Sequence, residues 1–191
     1  NKENFTVLYP SGPLRNFRVS LEEISPQKIF FHKKKVSYFF KNMLKKYPGM
    51  KILYKSFMGT SLEYDPFVEI LSNSFSEGRV RICYDLPINL IPEIDIVFFD
   101  MISTGFAEAL NMGAPILVYN NTFNYEPASQ YGKKTNKMFQ SAKALFYDEQ
   151  EGSKALNYIL NNLEEYKKQL KEPRDIFINE LAFPVNKFQY K

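Results

Sequence analysis

The sequence predicts an α/β domain: a Rossmann-like parallel sheet with helices on both faces. Three observations carry this. Short apolar runs alternate with segments of helical period along the chain. Two of the runs, residues 94–99 and 115–119, are almost wholly apolar and rich in β-branched and aromatic residues, as strands covered on both faces are. The connections are long enough for right-handed crossovers between parallel strands.

Taken in order, residues 5–9 read as a strand that Pro10-Ser11-Gly12-Pro13 turns into a loop. Residues 33–47 carry Val36, Phe39, Phe40, Met43, Leu44 and Tyr47 on one helical face, and Pro48-Gly49 stops them. Residues 51–57 give a second strand. Asp65 is placed to cap a short helix over 66–72, with Pro66 at its first position. A third strand follows at 80–84. After the buried run 94–99 comes a helix over 104–112, then the run 115–119, a helix over 130–142 and a short edge strand at 144–147. A long helix over 153–170 carries Leu156, Ile159, Leu160, Leu163, Tyr166 and Leu170 as its stripe, with Pro173 read as its end. The expected organisation is one domain over 1–171 and a tail over 172–191 that packs on it or reaches a preceding domain. Asn1 to Asn4 lead almost directly into a strand, so a domain before them is expected.

Composition narrows the function. The chain has 191 residues, 45% of them hydrophobic and 16% aromatic, which excludes disorder throughout. A net charge of +4 suits an anionic small ligand or the inner membrane surface and is too mild to demand nucleic acid. Cys83 is the only cysteine and His32 the only histidine. No intramolecular disulfide or zinc cluster is possible, a cytoplasmic location is expected, and Cys83, within an apolar run, is expected to be buried. His32 heads the run Lys33-Lys34-Lys35, and all four are expected at the surface. No Gly-x-Gly-x-x-Gly after a strand, no P-loop and no Gly-x-Ser-x-Gly elbow appears.

The segment after the fourth strand carries the chemistry. Ser103-Thr104-Gly105 opens a helix that Gly113 closes and Pro115 keeps from continuing. Amides of a first helical turn lack internal partners, and the helix dipole adds positive charge there. Gly105 lets a ligand approach the backbone, Ser103 and Thr104 add hydroxyls, and the position is the carboxyl end of a strand, where open α/β sheets bind ligands. Glu108, one turn on, is placed to accept ribose hydroxyls. An ordinary N-cap and a solvated glutamate fit the same letters about equally well.

The run Ser103-Thr104-Gly105-x-x-Glu108-Ala109-Leu110-x-x-Gly113-x-Pro115 resembles the C-terminal half of GT-B fold glycosyltransferases, most of all those that build bacterial surface and capsular polysaccharides. UDP-N-acetylglucosamine 2-epimerases share a related pattern. The resemblance implies a donor-binding domain, half of a GT-B architecture, that moves a sugar from a nucleotide-sugar to a glycan or lipid-linked acceptor without a metal or resident cofactor. It implies a missing N-terminal partner domain that supplies the catalytic base, and hence no turnover by this chain alone. Contact with the inner membrane face is a further candidate, and no nucleic acid is expected. By the same resemblance Ser103, Thr104 and Gly105 hold the donor phosphates and Glu108 the ribose. Gly12 and Arg15, after the first strand, and Lys55, at the end of the second, face the phosphates, while Leu86 meets the base. A turn with a solvated arginine, and a lysine reaching water, are the bland alternatives for Arg15 and Lys55. The loop Asn120 to Tyr125 is a candidate for sugar contacts. The paired glutamates of many retaining members are absent, and Lys55-Ser56-Phe57 keeps only the lysine of a Lys-x-His-Pro pattern. The other readings are an epimerase-like domain and a non-catalytic α/β binding module.

Overall fold

A computed structural model describes residues 4–11, 26–56, 62–120 and 130–182 of the chain. Strand β1 (Phe5–Pro10) is followed by helix α1 (Pro26–Lys46), β2 (Met50–Lys55), α2 (Pro66–Ile70), α3 (Ser72–Ser76), β3 (Val80–Ile82) and α4 (Pro87–Leu90). The second half runs β4 (Ile96–Phe99), α5 (Thr104–Asn111), β5 (Ile116–Tyr119), α6 (Gln130–Ser141), β6 (Leu145–Phe146), α7 (Glu149–Asn161) and α8 (Leu163–Ile176). A π-helical turn, Phe177–Ala182, closes the described chain.

The six strands form one parallel sheet in the order β3-β2-β1-β4-β5-β6, so the expected Rossmann-like α/β class is the class observed. The chain builds outward from β1 to β3, then crosses back to β4 and builds the other way. The strand order thus reverses between β1 and β4, and open α/β sheets bind ligands at the carboxyl ends beside such a switch point. Gly12, Arg15, Asn121 to Tyr125 and the tail from 183 onward lie outside the described residues.

Alternation along the strands sorts the core into two layers. On one face Tyr9 packs its ring against Phe40, Tyr54, Phe67 and Phe98, with centroids 5.2–5.4 Å apart. Helices α1 and α2 supply Phe40 and Phe67. On the other face Phe99 meets Phe106 of α5, and Phe106, Phe139 and Phe177 form a triangle with edges of 5.2–5.9 Å. Such pairs add about 0.5–1.5 kcal/mol each beyond area burial, so eighteen phenylalanines make good the lack of tryptophan.

Local signals act as their chemistry dictates. The Asp65 carboxylate accepts from the Phe67 amide at 3.0 Å and caps α2, with Pro66 in the first turn. Gly113 takes φ +72° after α5. Its amide bonds Leu110 O at 2.9 Å and that of Ala114 bonds Ala109 O at 3.0 Å, which is the Schellman closure. Several boundaries differ from expectation: the helix expected over 66–72 is two short helices, α2 and α3, the strand expected over 80–84 ends at Ile82, and α7 starts at Glu149. Helix α1 begins at Pro26, seven residues before 33, because a proline is well suited to a first helical position. The helix expected over 153–170 is two helices, broken at Asn162 (φ −139°, ψ 40°). Pro173 lies inside α8 and forfeits only one backbone bond, to Gln169 O, and the chain stays helical to Ile176.

Gly152, buried at the start of α7, is fixed by packing. A Cβ there would stand 2.3 Å from Cε2 of Phe146. That ring is stacked on Tyr119 at 4.9 Å and 9°, a contact that its displacement would disturb. Gly152→Ala is expected to destabilise the fold by about 1–3 kcal/mol, as overpacking does, although alanine is the better helix former. The urea midpoint measures this; an unchanged or raised midpoint contradicts it.

Candidate functional site

At the carboxyl edge the sheet presents the ends of β1, β2 and β4 together. The amide of Ser11, just past β1, bonds Lys55 O at the end of β2 at 2.9 Å. The Lys55 ammonium donates to Tyr84 O at 3.1 Å and so ties β2 to the loop after β3. That loop exposes Tyr84 and Leu86, and Leu86 precedes α4, which packs beside α5. Cys83, expected to be buried, is only partly buried there, packed against the rim of the core, and that burial raises the pKa of its thiol.

The start of α5 is open. Ser103 is extended (φ −136°, ψ 178°) and exposed, and its hydroxyl makes no capping bond. The first backbone bonds run from the Phe106 and Ala107 amides to Ser103 O, at 3.1 and 3.3 Å. The amides of Thr104 and Gly105 thus have no intrahelical acceptor. Helices α2 and α7 differ, since Asp65 and Asp148 cap them with side-chain carboxylates, while α3, α4 and α8 share the lack of a side-chain cap. A Cβ on Gly105 would meet the Phe99 ring and Ser103 Oγ at 3.8 Å, an ordinary contact, so the fold itself does not require glycine there. Glu108 is exposed one turn further on. Of the site residues expected from sequence, Ser103, Thr104, Gly105, Lys55 and Leu86 lie along this edge, with Glu108 a turn along α5; Gly12 and Arg15 fall outside the described residues.

Under the edge, on the α1 side, sits a polar cluster that sequence reasoning placed at the surface. Lys33 is 2% exposed and His32 6%. Because α1 starts at Pro26, both lie well inside the helix and flank its buried stripe of Val36, Phe39, Phe40 and Met43. The Lys33 ammonium donates to Ser11 Oγ at 2.8 Å and to the Tyr54 hydroxyl at 3.3 Å, and stands 3.7 Å from the Asp65 carboxylate. Tyr54 donates to the same carboxylate, and its hydroxyl lies 3.2 Å from that of Ser11. Beside this group Tyr9 donates to Asp100 at 2.6 Å. Burial, then the neighbouring carboxylates, raise the pKa of Tyr9 and Tyr54. Burial lowers that of Lys33 against the opposing pull of Asp65 and Asp100.

His32 Nε2–H donates to Asp100 O at 2.9 Å, and its ring lies against Tyr119 at 5.5 Å. It therefore braces the first residue of the segment that leads to Ser103. Nδ1 is buried and has no hydrogen-bond partner among the described residues. Burial pushes the imidazole below its usual pKa of 6.5, against the favourable charge of Asp100. Among the described residues no group of three His, Cys, Asp or Glu side chains is placed to hold a metal.

The cluster gives two expected outcomes. Lys33→Met leaves the Asp65 carboxylate buried without its cation and is expected to cost about 3–5 kcal/mol. Adding Asp65→Asn should restore part of the loss. Urea titrations of both variants measure this, and equal stability of Lys33→Met and the native chain contradicts it. For His32 the folded state holds the neutral form, so the unfolded chain binds more protons just below its ordinary pKa. Stability should therefore fall as pH drops from 7 through about 6.5, and this part of the slope should vanish in His32→Gln. A slope that persists unchanged in the variant would rule the histidine out as its source.

No protein-family model matches the chain, and no curated protein matches it in sequence. Solved structures do match in fold. UDP-GlcNAc 2-epimerase from Neisseria meningitidis, bound to UDP-GlcNAc, superposes with TM-score 0.57 at 15% identity, over 95% of this chain and 46% of that one. A putative UDP-N-acetylglucosamine 2-epimerase from Listeria monocytogenes gives 0.55 at 14%, over 100% and 47%. An O-GlcNAc transferase mutant from Thermobaculum terrenum gives 0.53 at 17%, over 91% and 32%. At these identities the likeness shows the fold, and the chain spans about half the length of the epimerases or less of the transferase.

Proposed function

We propose that this chain is the nucleotide-sugar-holding domain of a GT-B type enzyme, with the donor diphosphate seated on the first turn of α5. The observation that carries the reading is the uncapped start of that helix, with the Thr104 and Gly105 amides unspent, just past the carboxyl end of β4 and next to the β1–β4 switch point. Partial positive charge there offsets a phosphate and stabilises it further as it leaves a sugar, so no metal is needed. Lys55, fixed to the Tyr84 carbonyl, adds a point charge along the same edge. Glu108 takes the ribose hydroxyls and Leu86 offers an apolar contact to the base. Arg15 and Gly12 are the phosphate contacts proposed for the loop after β1. The fold neighbours solved with UDP-GlcNAc or named for its chemistry support a uridine nucleotide as the first ligand to try.

The reaction we favour is glycosyl transfer to a surface-polysaccharide type acceptor, with the base supplied by another domain. Epimerisation of the sugar nucleotide is the second reading, favoured by the likeness to two 2-epimerases. Calorimetric titration with UDP, CDP, GDP and CMP tests the common premise. One nucleotide is expected to bind, and Thr104→Ala, Glu108→Ala and Gly105→Ala should each weaken it about tenfold or more, or about 1.4 kcal/mol. Gly105→Ala is the sharpest of these, because its Cβ fits the folded chain and intrudes only on a ligand. Absence of binding by every nucleotide, or full binding by Gly105→Ala, would overturn the reading. Incubation of the sugar nucleotide that binds with the chain joined to its catalytic partner domain then separates the chemistries: inversion at sugar C2 identifies the epimerase.

A further inference from the structure

We infer that the outer face of α1 is a docking surface for an anionic lipid bilayer. The helix carries seven lysines and no acidic residue. Lys33 alone among them enters the core. At 100° per residue Phe31 and Tyr38, seven residues apart, fall on one line at the centre of the outward face, and Lys34, Lys41 and Lys45 run along one side of that line. Phe31 is 63% exposed and Tyr38 49%, and Lys41 and Lys45 are exposed. The Lys34 ammonium lies 4.9 Å from the Phe30 ring centre. Across that line from these lysines, Asn42 donates to Glu149 of α7 at 3.2 Å and Lys46 to Ser153 at 3.0 Å, so α7 flanks the face on that side.

Solvent is a poor partner for two large rings placed among lysines. An anionic bilayer satisfies both kinds of group at once. Lipid phosphates attract the ammonium heads, the aliphatic lysine stems lie along apolar surface, and aromatic rings settle at headgroup depth. No helix among the described residues is long and apolar enough to cross a membrane, and the contact proposed for α1 lies at the bilayer surface. The inference is independent of the nucleotide reading, because none of these side chains belongs to the α5 edge.

Co-sedimentation with vesicles of phosphatidylcholine alone, and of phosphatidylcholine with phosphatidylglycerol, tests it. The chain should bind only the second kind and release as salt is raised. Lys34→Gln, Lys41→Gln and Lys45→Gln should each lower the partition constant about fivefold, and about a hundredfold together. Phe31→Ser with Tyr38→Ser should lower it with no change in net charge. Each substitution is on the surface, and a thermal melt confirms that the variants fold. Equal binding to both vesicles, no binding to either, or binding unaffected by the triple lysine variant overturns the proposal. So does a double aromatic variant that binds fully while soluble polyglutamate competes as well as vesicles do, since the face would then be reading charge alone.

Discussion

The ammonium group of Lys33 has to be neutralised inside the protein, and the way this is done joins four separate segments. It comes from α1, its acceptors stand at the ends of β1 and β2, and the balancing carboxylate, Asp65, caps α2. A buried charge is tolerable only when it is paired and hydrogen-bonded. If any of the four segments shifts, the charge loses a partner. The alignment of the strand ends, on which every ligand contact at the edge depends, is thereby coupled to the seating of two helices. The apolar layer beneath gives most of the stability, but aromatic packing is forgiving in register, whereas this network is not.

The chain treats its helix starts unequally, with side-chain caps on α2 and α7 and none on α3, α4, α5 and α8. Asp65 and Asp148 occupy two of them with their own carboxylates. The start of α5 has a serine able to do the same that does not. Its open amides sit beyond Phe99, a residue buried in the sheet, so the turn is firmly based and exposed only at its tip. His32 holds the carbonyl of Asp100 at the root of that turn, from the opposite layer of the core. That one hydrogen bond ties the α1 layer to the segment from which α5 starts.

Much of the fold was legible in the residues. The runs that became β4 and β5 are too continuously apolar to be anything but covered strands, and Asp65-Pro66 and Gly113 mark ends that backbone chemistry all but dictates. The polar cluster was not legible. Lys33 and His32 look like surface residues in any short window, and the groups that make their burial possible, Ser11, Tyr54, Asp65 and Asp100, lie 21 to 68 residues away. One signal did exist: Pro26 extends the helix backwards, and on the longer wheel both residues flank the apolar stripe. The break at Asn162 was hidden because the stripes of α7 and α8 join without a change of period. At the α5 edge, the pattern of small residues indicated the turn, but whether Ser103 would cap its own helix depends on a side-chain rotation that spacing does not encode.

The outline of the sheet has a consequence of its own. Its central strands are four to six residues long, while the two rims, β3 and β6, have only three and two. An extended segment from another molecule, arriving at either margin, finds almost no backbone ladder to extend. Long, flat margins invite chain-to-chain zippering and, eventually, fibres. By tapering at both sides, a sheet this rich in phenylalanine and tyrosine keeps its adhesive interior from being copied outward.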